Sequence, residues 1–209
     1  PGEITSIAQT DLVVTVHNDS VNFTSFRTYA MPDTIVHLVD SLATDTVELG
    51  RQFDSEILQL VASNMSALGY QRMDSTQIDA DNLPDVFVTV SAIGSDNWTY
   101  YVTYPWWGYW GYWGFWPPLW GPGYGPGYPC CGSVGSVNYQ TGTLLVDMYD
   151  VQAAANLPEE PTLPIAWVGA LNGVLGGSES LTAQRLQDGI NQMYAQSPFL
   201  RTGAATLPQ

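Results

Sequence analysis

The sequence predicts an α+β domain: a mostly antiparallel or mixed β-sheet with two helices packed on one face, interrupted by a long aromatic, Gly/Pro-rich insert. Three observations carry that reading. Val-rich runs recur in pairs with single helical stripes between them, a pattern of sheet plus helices rather than of regularly alternating βαβ units. Two stretches, 47–68 and 180–196, place apolar side chains at helical spacing. Residues 98–131 hold seven of the eight Trp and seven of the twelve Tyr, inside a run from Asp96 to Asp147 with no charged residue between those two ends.

Taken in order, residues 1–11 carry no period and read as a tether. Residues 12–17 (LVVTVH) are β-rich and read as a strand. Residues 26–31 (FRTYAM) alternate well enough for a second strand, closed by Pro32. Residues 34–39 are apolar but too short for periodicity to separate strand from helix. The clearest helix is 47–68, where Leu49, Phe53, Ile57, Leu60, Val61, Asn64 and Leu68 form one stripe and Gly69 occupies the position that favours a left-handed residue. A polar loop, 74–83, leads into a strand at 85–93, whose Val86, Val88 and Val90 share a face. Residues 98–104 are placed to pair with it. After the insert come strands at 143–149 and 165–174, separated by a Pro-marked loop. The glycines of the second of these strands predict a bulge or close packing. Ser180 is the expected N-cap of the last helix, with Leu186, Ile190, Met193 and Tyr194 inward and Pro198 as the stop. The predicted core joins Ile57, Leu60, Val86, Val88, Leu144, Val146, Trp167 and Ile190. The chain thus divides into a tether (1–11), one domain (12–199) interrupted by the insert (98–133), and a C-terminal tail (200–209).

Twenty acidic residues stand against five Arg, Lys is absent, and the net charge is −15. That balance excludes nucleic acid as a partner, because its binding rests on Lys and Arg neutralising phosphates. It also opposes electrostatic docking on anionic lipid. The chain opens at Pro1 and shows no signal peptide. The expectation is a processed, exported protein: outer membrane-associated, periplasmic or displayed at the cell surface.

Several short motifs resemble those of the DUF4136 family. They are Asn22-Phe23 followed by Phe26-Arg27-Thr28-Tyr29-Ala30, then Leu68-Gly69-Tyr70, Pro84-Asp85-Val86, Gly142-Thr143-Leu144 with Val146-Asp147, Trp167 with Gly169, and Ser197-Pro198-Phe199. They span roughly residues 12–199. The resemblance implies a bacterial envelope protein, commonly a lipoprotein, of undefined biochemical function and with no catalytic residues to carry over. His17-Asn18-Asp19 stands where the family tends to have an acidic pair, and Val168 where it tends to have a basic residue between Trp and Gly.

No catalytic set emerges from the residues. Only His17 and His37 could serve a Ser or Cys nucleophile as base, both on expected strands, and Ser133 lacks the G-x-S-x-G elbow because Cys131 fills its first Gly position. Both histidines read as structural. Asp79, Asp81, Asn82 and Asp85 could surround Ca²⁺, yet the loop lacks the Gly and Glu that an EF-hand requires. Two adjacent Cys and two distant His provide no zinc spacing, so neither a metal nor a cofactor is expected. Cys130-Cys131 leaves three states open: a strained vicinal disulfide, two thiols, or bridges to another chain. Five tripeptides, headed by Asp19, Asp33, Asp40, Asp45 and Asp74, resemble a bacterial O-glycosylation signal; the acceptors would be Ser20, Thr34, Ser41, Thr46 and Ser75. Asp and Ser/Thr are also common in turns and caps, which is the plainer reading. Sequons at Asn18, Asn22, Asn64 and Asn97 are weakened as a set by Asn64, which sits within the expected helix.

Within the insert, Trp107, Trp110, Trp113 and Trp116 recur every third residue with glycines between them. Period three matches an extended polyproline-like ridge, which would set these rings about 9 Å apart along one edge. Gly and Pro at this density rule out a stable helix and with it a transmembrane span. Three readings follow: rings folded back on the domain's own sheet, a contact surface for an envelope protein or for self-association, and a surface for lipid headgroups or sugar rings. The expectation is the second, a non-enzymatic interaction module acting through Trp106, Trp107, Tyr109, Trp110, Tyr112, Trp113, Phe115, Trp116 and Trp120. The alternative is a carbohydrate- or lipid-binding module that uses the same rings.

Overall fold

The computed structural model describes residues 13–38, 51–79, 81–93, 142–155, 164–172 and 179–203. Seven strands form one mixed sheet. They are β1 (Val13–His17), β2 (Thr28–Ala30), β3 (Val36–Leu38), β4 (Gln71–Arg72), β5 (Val86–Ile93), β6 (Thr143–Asp150) and β7 (Ile165–Leu171). The order across the sheet is β1-β7-β6-β5-β2-β4, with β3 beside the far half of β5. The β1–β7, β7–β6 and β6–β5 pairs are antiparallel, whereas β2 and β3 run parallel to β5. The sheet is therefore mixed, as expected, and two long helices complete the α+β class.

Those helices are α1 (Asp54–Ala67) and α3 (Glu179–Ala195); a short α2 (Val151–Ala155) continues directly from β6. The Asp150 carboxylate accepts the Ala153 N–H at 2.8 Å and so caps the turn that begins α2. Both long helices pack on one face of the sheet. Ile57, Val61 and Met65 of α1 meet Leu186, Ile190, Met193 and Tyr194 of α3 over Val86, Val88, Val90, Leu144, Val146, Met148, Trp167 and Leu171. The helices touch through Asn64, whose amide donates to Asn191 at 2.9 Å. A sequon placed there lies inside α1.

α1 starts at Asp54 rather than at 47: residues 51–53 form a turn, and Asp54 and Glu56 sit in the first helical turn, where acids oppose the positive end of the macrodipole. It ends as expected. Gly69 has φ of 95°, the Tyr70 N–H reaches Met65 O at 3.1 Å, and the Gly69 N–H reaches Ser66 O at 2.9 Å, the two bonds of a Schellman stop. Leu60 flanks the stripe and is only half-buried, unlike the other seven residues of the predicted core. Ser180 is the second residue of α3, so it is not the N-cap.

The glycine prediction for β7 resolves into close packing. A Cβ on Gly169 would lie 2.2 Å from Met193 Sδ, so α3 sits directly on the strand there. The register shift falls three residues away, at Ala166, opposite the Met148–Tyr149 step. The C-terminal assignment also changes. Leu200 is fully buried, the Thr202 N–H donates to Leu68 O at 2.9 Å and the Gly203 N–H to Thr24 O at 3.2 Å, so residues 200–203 are part of the domain. Among the described residues, no helix is long and apolar enough to cross a membrane.

Candidate functional site

The register fixes where the aromatic segment leaves the domain. Ile93 ends β5 and is paired with Thr143, which begins β6. Both ends of the segment thus emerge from neighbouring antiparallel strands in the middle of the sheet, at the tip of one hairpin. Val13, Leu171 and Leu38 lie at the same end, by the pairings Val13↔Leu171, Leu144↔Leu171 and Leu38↔Ile93. The nine aromatic residues singled out as contacts, from Trp106 to Trp120, fall outside the described residues. So do Cys130 and Cys131, the suggested strand at 98–104, and the acceptors Ser41 and Thr46.

Three acceptors of the glycosylation-like motifs are described, and their settings differ. Ser20 is exposed in a turn, where its N–H bonds Asn18 Oδ1 at 2.9 Å. Thr34 is exposed between β2 and β3. Ser75 is half-buried and starts a single 3₁₀ turn (Ser75–Gln77). Asp74 caps that turn by accepting from Thr76 Oγ1 at 2.6 Å and Thr76 N at 2.8 Å, and the same hydrogen bonds hold its carboxyl below the ordinary range. The plainer cap reading is therefore realised in the 74–76 tripeptide.

The polar groups with catalytic or metal-binding potential are engaged in structure. His17 stacks on Phe199 with ring centroids 3.9 Å apart and contacts Asp19 at 3.1 Å. His37 Nε2 meets both oxygens of Asp54, at 3.1 and 3.2 Å, and so ties β3 to the start of α1. Asp85 is engaged by residues at β2 and by α2. Its Oδ2 accepts from the Arg27 N–H at 2.6 Å, the Thr28 N–H at 2.9 Å and Thr28 Oγ1 at 3.2 Å, while Oδ1 accepts from the Gln152 amide. Among the described residues, no three His, Cys, Asp or Glu side chains converge as metal ligands.

One cleft, of about 310 Å³, opens where β2 runs into the β3 connection beside β4. Ala30, Met31, Ile78 and Phe87 form its apolar floor. At its rim the Arg72 guanidinium donates to Met31 O at 2.8 Å and to Asp33 Oδ1 at 2.5 Å. The cleft is at the small end for ligand sites, and its one cation is already matched. Sequence reasoning missed it because β4 is only two residues long, too short to leave a pattern.

Buried tyrosines give the domain an alkaline limit. Burial raises the Tyr70 and Tyr194 phenols above the ordinary value of 10.0. The unfolded chain then releases these protons near pH 10 while the folded chain holds them, so their stabilising contribution is complete below that pH and is lost as pH rises further. Denaturation midpoints should fall steadily above about pH 10. The Tyr194 hydroxyl has no hydrogen-bond partner among the described residues, so Tyr194→Phe should flatten that fall while changing neutral-pH stability little. An unchanged alkaline limb in this variant would remove Tyr194 as a cause.

The family of the chain follows from its similarity to known proteins. The model of the DUF4136 family, a domain of unknown function, matches residues 13–199. A crystal structure of a DUF4136 family protein from Bacteroides thetaiotaomicron VPI-5482 is 28% identical, with a TM-score of 0.59, over 92% of this chain and 98% of that one. A PelC dodecamer from Paraburkholderia phytofirmans aligns over 92% of this chain and 98% of its own at 8% identity, with a TM-score of 0.38. A search of curated proteins finds no match.

Proposed function

Because the chain belongs to the DUF4136 family, a domain of unknown function, we propose its function from the aromatic segment. On this reading the protein is a non-enzymatic, exported module of the cell envelope or cell surface. It makes contacts with an envelope protein or with further copies of itself through the Trp/Tyr-rich segment. The observation that supports it is the pairing of Ile93 with Thr143. A segment rooted at the tip of a hairpin can project its rings without interrupting the sheet, and long surface insertions cost little chain entropy. Trp and Tyr dominate interface energetics, and a net charge of −15 suppresses random clumping, which favours a contact selected by shape.

Fifteen aromatic rings lie within residues 98–128. Each can bury ~150–250 Å², so even a third of that area left open exceeds the ~300–600 Å² of the largest apolar patch on a typical monomer. The test replaces Trp107, Trp110, Trp113 and Trp116 together with Ser and compares assembly state and envelope association. Loss of both, with an unchanged thermal transition, is the expected result. A wild-type protein that is strictly monomeric, ignores liposomes and glycans, and hides these Trp from an aqueous quencher would refute the reading. Salt-insensitive binding to liposomes or glycans without self-association would favour the lipid- or sugar-surface alternative.

A further inference from the structure

The cleft beside β4 carries charges of both signs at its rim, and they are only partly used. Arg72 donates to Met31 O and to Asp33 Oδ1 through one nitrogen, Nη2. Its Nη1 makes no hydrogen bond among the described residues. Asp74 lines the same cleft two residues further on. Its Oδ1 takes both bonds from Thr76, at 2.6 and 2.8 Å, and Oδ2 takes none among the described residues. Those bonds, and then the charge of Arg72, hold the Asp74 carboxyl below the ordinary range, yet Arg72 and Asp74 form no ion pair. A cation and an anion thus face one cleft without meeting. Beneath them Met31, Ile78 and Phe87, all buried, form the apolar floor.

We propose that this cleft binds a free α-amino acid with an apolar side chain. Its carboxylate would accept from Arg72 Nη1, its ammonium would donate to Asp74 Oδ2, and its side chain would lie over Met31, Ile78 and Phe87. The rim charges select for a zwitterion. A simple anion meets the carboxylates of Asp33 and Asp74, and a simple amine meets the Arg72 guanidinium. Each of these leaves one rim charge stripped of water and unanswered, which costs more than the single bond it gains. A zwitterion answers both with charge-assisted bonds. Asp33 is then a positioning residue: with Met31 O it fixes Nη2 and leaves Nη1 facing the ligand. Size sets the other limit. A cleft of about 310 Å³ is at the lower bound for ligand sites and suits one amino acid. A peptide would carry its two terminal charges too far apart to reach Arg72 and Asp74 together. The inference does not depend on what the aromatic segment contacts.

The methionines supply the reporter. The chain has five. Met31 and Met73 line the cleft, whereas Met65, Met148 and Met193 belong to the helix-face core. Titrating L-leucine into the full chain with ¹³C-labelled Met methyls should shift Met31 and Met73 saturably and leave the other three in place. Leucinamide, which lacks the carboxylate, and 4-methylpentanoate, which lacks the ammonium, should each bind roughly ten-fold or more weakly, the worth of one charge-assisted bond. Asp74→Asn keeps a side-chain oxygen to cap the 3₁₀ turn and should weaken leucine by a similar factor with an unchanged thermal transition. If that variant fails to fold, the two analogues on the wild-type chain decide the matter alone. No saturable shift, shifts spread over all five methyls, or either analogue binding as tightly as leucine would overturn the proposal. So would a folded Asp74→Asn variant that binds leucine as the wild type does.

Discussion

Trp167→Ala is expected to give the largest loss of stability of any single substitution in the helix-face core. Trp167 is fully buried on β7, its indole N–H donates to Ser197 Oγ at 3.0 Å, and its ring leans on Tyr194 with centroids 5.3 Å apart. Truncation removes the ring's transfer free energy, opens a cavity under α3 and leaves the buried Ser197 hydroxyl without its donor. Large aromatic-to-Ala changes of this kind cost about 3–5 kcal/mol. In a domain of this size that corresponds to a fall in Tm of roughly 6–20 °C. A side chain at Gly169 could not simply refill the space, because a Cβ there would lie 2.2 Å from Met193 Sδ. Scanning calorimetry of Trp167→Ala beside Trp167→Phe separates the terms, since Phe keeps most of the packing and loses the hydrogen bond. Equal losses for the two would place the energy in the hydrogen bond; a loss below 1 kcal/mol for Ala would mean that the site collapses to fill itself.

How far the sequence could be read follows the range of each interaction. The Val positions of β5 and the α1 stripe are local periodicities, and Gly69 is a local backbone requirement, so all three were legible. What failed depended on distant partners. His17 was legible as structural from the lack of a nucleophile nearby, but its stacking on Phe199 pairs opposite ends of the chain. Leu200 carries no periodic signal; its packing, the bond from Tyr70 OH to its carbonyl at 2.9 Å, and the bonds of Thr202 and Gly203 to distant carbonyls show that the domain continues past 199. β4 is held by the Gln71 N–H on Arg27 O and the Met73 N–H on Tyr29 O, a parallel pairing that two residues cannot announce. The start of α1 was misplaced because Val47 and Leu49 extend the apolar period, whereas Asp54 and Glu56 mark where the first turn is electrostatically favoured. β6 carries a local clue of its own. All eight of its residues, TLLVDMYD, are buried, and its near-continuous apolar run is that of a strand covered on both faces. The aromatic contacts belong to a different case: their spacing is visible, but spacing does not say what they touch.

Asp85→Ala should be the second costly change, because one carboxylate organises three parts of the chain. It stands at the start of β5 and gathers the Arg27 N–H, the Thr28 N–H and the Thr28 hydroxyl, with the Gln152 amide from α2 on its other oxygen. Its own N–H donates back to Thr28 Oγ1 at 3.0 Å, so Thr28 and Asp85 hold each other reciprocally. This link sits just before Tyr29↔Val86, the first pair of the parallel β2–β5 ladder, and so sets that register. The stretches Arg27-Thr28-Tyr29 and Pro84-Asp85-Val86 are thus two sides of one clamp. Removing the carboxylate leaves two backbone donors and a hydroxyl without their acceptor, at about 1–3 kcal/mol after water reaches the half-exposed side. Asp85→Asn keeps the shape and one acceptor oxygen and should lose less. A double-mutant cycle with Thr28→Val is the measurement, and the expected coupling is about 0.5–3 kcal/mol, as for residues sharing one network. Additive losses would mean that strand pairing alone sets the register, and that the clamp follows the sheet rather than positioning it.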